Sequence, residues 1–149
     1  MSGITGLIGD LDWSKPEEVQ KAAIKKLLEI DDLNLVLLAQ QSDVCHKSCW
    51  YNAAKILKTI GYPRINSVLP YLMEWFQDIN WPGVDTIAEA LRTISPIELI
   101  PYIEEASKHA IAHNDDSWAF GLVTLIKKFN LTHLLNKELY NELIQLSDY

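Results

Sequence analysis

Arginine is almost missing from this chain: only Arg64 and Arg92 occur among 149 residues, and Lys and Arg together number 13 against 20 Asp and Glu. The resulting formal charge of −7 repels phosphate backbones and anionic lipid, so neither nucleic acid nor a membrane is an expected partner. Cysteine is scarce as well, and two residues cannot build a disulfide framework. The opening Met1-Ser2-Gly3-Ile4-Thr5-Gly6 lacks the basic stretch and long apolar run of a secretory signal, which makes the cytoplasm the expected compartment. No apolar run approaches the length needed to span a bilayer, and the six Gly and six Pro are scattered. A Gly-rich phosphate loop, a Gly-x-Ser-x-Gly elbow and a nucleophile with its base are all missing, so no cofactor and no catalytic residue are expected.

What is present is helical periodicity. With 48% hydrophobic and 22% charged residues the composition is that of one soluble domain. Residues 1–12 carry no helical period and read as an N-terminal arm, docked only through Ile4, Leu7 and Leu11; residues 13–149 read as a single all-α domain. Ser14-Lys15-Pro16-Glu17 has the pattern of a capped helix start, and Val19, Ala23, Leu27 and Ile30 follow at helical spacing. Leu33 to Ala39 reads as a short second helix. A helix starting near Trp50 ends at Gly61, placed where a C-cap needs a positive φ. Ile65, Val68, Leu69, Leu72, Met73 and Phe76 form one apolar stripe of a continuous helix. Asn80 is positioned to cap the next helix, with Pro82 in its first turn, and Ser95-Pro96-Ile97-Glu98 repeats the arrangement at Ser14 for a helix running to about His113. Asp115 or Asp116 caps a helix carrying Trp118, Leu122, Leu125 and Phe129, and Asn136 caps Leu139 to Leu146.

These elements repeat. Trp13, Trp50, Trp81 and Trp118 stand at or just before the first helix of a pair, at spacings of 37, 31 and 37 residues. Leu57-Lys58-Thr59-Ile60 matches Leu91-Arg92-Thr93-Ile94, and Leu69-Pro70-Tyr71-Leu72 matches Ile100-Pro101-Tyr102-Ile103. Such periods predict a short α-solenoid of about four antiparallel helix pairs, with Pro70 and Pro101 bending the second helix of two successive units.

The segment Met73-Glu74-Trp75-Phe76-Gln77-Asp78-Ile79-Asn80-Trp81-Pro82-Gly83 resembles a bacterial HEAT-like helical family, a domain of unknown function with a Gln-Asp-Met-Asn-Trp-Pro hallmark between two helices. Leu99-Ile100-Pro101-Tyr102-Ile103 and Asp115-Asp116-Ser117-Trp118 resemble later stretches of that family, so the likeness covers about Trp50 to Phe129. It implies the same all-α, HEAT-like fold and brings no activity. This chain departs from it at Ile79, where methionine is usual, and at Ala119-Phe120-Gly121, where further aromatics are expected.

Turn chemistry accounts for Asp78 and Asn80 at a structural corner, with Trp81 plugging the gap between units. The functional reading notes that Tyr71, Trp75 and Asp78 share a stripe apart from the buried one. If exposed, they form, with Asn80, Trp81, Tyr102 and Glu105, a concave aromatic and acidic surface for a basic or amphipathic protein. The chain then is a non-catalytic protein-binding module, an immunity or adaptor protein of bacterial type, monomeric or weakly dimeric. The rival class is a small metal-dependent enzyme using His109 and His113, four apart on one helix, with Asp115 or Asp116. Favourable interaction with the helix dipole explains the two histidines more simply. Cys45-His46-Lys47-Ser48-Cys49 offers three soft ligands with no second pair to complete a zinc site, and its spacing is not that of a redox thiol pair. The cationic groove of helical-repeat DNA glycosylases has no counterpart here.

Overall fold

The computed structural model describes residues 3–147; Met1 and Ser2 of the expected arm lie outside them. Every regular element among the described residues is helical. In chain order these are α1 (Ile4–Gly9), α2 (Glu17–Leu27), α3 (Val36–Ala39), α4 (Lys47–Ile60), α5 (Leu69–Glu74), α6 (Val84–Leu91), α7 (Pro96–Ala112), α8 (Asp116–Lys128) and α9 (Lys137–Ser147). Short 3-10 turns at Arg64–Val68, Trp75–Gln77 and Thr132–Leu134 flank α5 and precede α9. No helix among the described residues is long and apolar enough to cross a membrane.

Alternate helices pack together. α2 lies on α4 and α4 on α6, while α3 lies on α5, α5 on α7 and α7 on α9. The first of these rows stops at α6, because α8 packs instead on α7, α9 and the Trp75–Gln77 turn. One core runs through both rows. The full apolar stripe from Ile65 to Phe76 is buried in it, at a stabilisation of about 25 cal/mol for each Å² of apolar surface removed from water. The stretch before α2, read as aperiodic, contains the helix α1; Ile8 within it and Leu11 just after it are fully in that core, while Ile4 and Leu7 pack partly buried against it.

Several helix ends follow the expected chemistry. Gly61 has φ +64° and its N–H donates to the Leu57 carbonyl; Asp115 Oδ1 accepts from the Trp118 N–H at 3.0 Å; Asn136 Oδ1 accepts from the Leu139 N–H at 3.0 Å. Others do not. Ser14 donates to Asp12 Oδ1 at 2.7 Å and leaves the cap position to Pro16, and Ser95, although at the cap of α7, makes no side-chain cap bond. Glu98 accepts instead from the Tyr62 hydroxyl and the Asn66 amide, which draws it away from its own helix end. Asn80 caps nothing: its N–H donates to Asp78 Oδ1 at 2.8 Å, and α6 is entered through Gly83 at φ +88°.

The helix expected from Ile65 to Phe76 is in three pieces, and Pro70 is the reason for the first break. It has no N–H for the Asn66 carbonyl, which the Leu69 N–H takes three residues on, so the first piece is 3-10 and α5 begins beside the proline. Pro101 by contrast sits inside the continuous α7. The two prolines therefore occupy different places despite their shared sequence context, Pro70 in the first turn of α5 and Pro101 in the interior of α7.

Candidate functional site

The expected interaction residues fall into three environments. Trp75, offered as an exposed anchor, is fully buried, and its indole N–H donates to the Ala39 carbonyl at 2.8 Å. This corrects its assignment as a docking group: it is a wedge between α3 and α5. Its ring stands 5.9 Å from that of Trp50, and Trp50 in turn meets Trp81 edge-on at 5.2 Å. Gly83 closes over this cluster. A Cβ there would lie 2.8 Å from the Trp50 carbonyl oxygen and 2.9 Å from the Ala54 Cβ, so glycine is required for contact as well as for φ. Trp81 is half-buried against Trp50 and belongs to the same corner.

Asp78 and Asn80 flank a groove. Because α6 and α8 part from one another, a depression of about 250 Å³ remains between them, with Phe76, Ile79, Val84 and Leu125 as apolar lining and Asp85 and Lys128 on opposite helices. It adjoins a second depression of about 310 Å³ lined by Asp78, Ile79, Asn80, Ser117 and Phe120, so Ile79 and Asn80 stand in both. Phe120 is 45% exposed at its edge. Gly121 lies against the Phe76 backbone, which brings α8 down onto the Trp75–Gln77 turn and gives the groove its floor.

Tyr102 and Glu105 line a different cleft, of about 130 Å³, between α5, α7 and α8, together with Glu74, His109 and Trp118. Tyr71 is half-buried on α5 and is not part of its lining. Burial pushes the Glu74 carboxyl above the usual carboxylate range, with His109 pulling it back, and Glu74 makes no ion pair or hydrogen bond among the described residues. The Trp118 indole N–H donates to the Met73 carbonyl at 3.0 Å and fixes that wall.

The two histidines are not brought together with the aspartates. His113 Nδ1 lies 2.8 Å from the His109 carbonyl oxygen, His109 Nε2 is 3.7 Å from Glu105, and Asp115 is committed to the start of α8. The described residues contain no group of three or more His, Cys, Asp or Glu placed to hold a metal ion, so the His109, His113 and Asp115 or Asp116 set lacks a ligand geometry. At the cysteine pair, the Cys45 thiol faces the Leu38 carbonyl at 3.7 Å and burial pushes it up to about 12. Burial, helped by the Asp12 charge, pushes Cys49 up to about 11, with its sulfur 3.5 Å from His46 Nε2. Both therefore stay thiols at neutral pH, and neither presents a reactive thiolate.

Sequence reasoning passed over Glu74, Asp85 and Phe120. Glu74 carried a signal, a carboxylate flanked by the buried Met73 and Trp75, whereas the groove depends on two helices failing to meet, which no local pattern records.

A family model described as a domain of unknown function, DUF5071, matches residues 46–149. No curated protein and no solved structure matches the chain.

Proposed function

Since the chain belongs to the DUF5071 family, whose function is unknown, its role has to be read from its own geometry, and we propose that it is a non-catalytic protein-binding module built as a short HEAT-like solenoid. Two observations support the architecture. Alternate helices pack in two rows, and every side-chain hydrogen bond between distant parts of the described chain joins residues 31 to 45 positions apart. Each unit thus bonds to its immediate neighbour, as stacked helix pairs do.

The observation that carries the function is the groove between α6 and α8. It combines an apolar floor at Phe76 and Ile79, an exposed Phe120, and a rim in which Asp78 and Asp85 outnumber Lys128. An apolar centre within a polar rim is the anatomy of a protein interface, and the −7 charge favours a basic or amphipathic partner. An intracellular adaptor or a bacterial immunity protein that covers a basic target fits this description.

The test places a photo-crosslinking residue at Phe120 and, as control, at Lys26, in cells of the source organism. A defined polypeptide trapped only from position 120, and lost when Thr124→Trp fills the groove without altering the circular dichroism spectrum, supports the reading. Trapping that is equal at both positions, or that survives Thr124→Trp, overturns it.

A further inference from the structure

We infer that the cleft between α5, α7 and α8 is a receptacle for an alkylammonium group, the end of a lysine side chain or of a free linear amine. The inference is separate from the α6–α8 groove and does not rest on it.

Size comes first. The cleft's volume of about 130 Å³ is close to the roughly 150 Å³ of a cavity that takes one benzene ring. That suits the end of one unbranched chain and is too little for a nucleotide. Its walls suit such a chain: Pro70, Met73 and Ala106 supply apolar surface for methylenes, and Tyr102 and Trp118 supply aromatic surface that attracts a cation. The Trp118 indole N–H is already committed to Met73, while the Tyr102 hydroxyl makes no hydrogen bond among the described residues and is available to accept one.

Charge selects the ligand's sign. The ionisable side chains lining the cleft are Glu74 from α5 and Tyr102, Glu105 and His109 from α7; α8 contributes only Trp118. Two carboxylates against one imidazole exclude an anion. Glu105 has His109 at 3.7 Å, whereas Glu74 is half-buried with no hydrogen bond or ion pair among the described residues and feels His109 only at longer range. A partly desolvated carboxylate without a counter-charge in direct contact is costly, and an ammonium entering beside it forms an ion pair and supplies donors to both Glu74 and the Tyr102 oxygen. A metal ion is a poorer fit, because these groups do not converge as ligands.

The test follows the Trp118 indole N–H resonance in the full-length protein at neutral pH and constant ionic strength. The probes are butylammonium, Nα-acetyl-lysine methylamide and its neutral analogue Nα-acetyl-norleucine methylamide. A saturable shift with the two amines and none with the norleucine compound is expected, and Glu74→Gln weakens it about tenfold while the protein stays folded. Tighter binding of the lysine amide assigns the cleft to a polypeptide lysine; tighter binding of butylammonium assigns it to a free amine. Absence of saturation with both amines, an equal response to norleucine, or unchanged binding in Glu74→Gln overturns the inference.

Discussion

Gly121 rests on the carbonyl of Phe76, and a side chain on that residue would occupy the space the carbonyl already fills. The contact seats α8 on the Trp75–Gln77 turn and floors the groove, so Gly121→Ala must either push α8 away or distort the turn. A loss of about 3 kcal/mol is expected in urea unfolding, at the upper end of what overpacking costs. Gly83→Ala, which combines φ +88° with the Trp50 and Ala54 contacts, should lose about as much. Gly9→Ala, with open space around it, should lose far less.

The helix starts separate side-chain caps that are made from those that are not. Asp115→Ala removes an acceptor from the Trp118 N–H and should cost about 1 kcal/mol. Ser95→Ala removes no cap bond and should change the same denaturation midpoint hardly at all. Equal losses in the two variants would contradict the geometry at both ends.

With Cys45 pushed up to about 12 and Cys49 to about 11, the native protein should hardly react with a disulfide reagent at pH values near 8, the unfolded chain reacting at both positions. Asp12→Asn removes one of the charges that raise Cys49 and should quicken labelling there, a site-specific change that mass spectrometry resolves.

Burial raises the folded-state value of Glu74, so folding favours its protonated form. The stability linked to that proton is fully present below the ordinary glutamate value and disappears as the pH rises through the raised one. Glu74→Gln is neutral at every pH. Its melting temperature should match that of the wild type in acid and exceed it by about 2 °C at neutral pH, as differential scanning fluorimetry across a pH series would record.

The helical character, the caps at Asp115 and Asn136 and the turn at Gly61 were legible because each depends on residues a few positions apart. Trp75 was not. An α-helical wheel advances 100° per residue and sets Trp75 beside Tyr71 and Asp78, away from the core. The chain instead tightens to 3-10 geometry at Trp75–Gln77, at three residues per turn, and the indole turns inward to Ala39. Asn80 had the right chemistry for a cap, but the packing of Gly83 on Trp50 and Ala54 starts α6 later. Of the expected interaction residues, Asp78 and Asn80 border one depression, and Tyr102 and Glu105 another. The division follows from where α8 lies, a matter of long-range packing that spacing along the chain does not encode.

Since no side-chain hydrogen bond of the described chain reaches beyond 45 positions, the two extremities of the molecule are strangers to each other. On the stacked reading proposed above, pulling on the two ends should unravel the protein in instalments, with no single rupture.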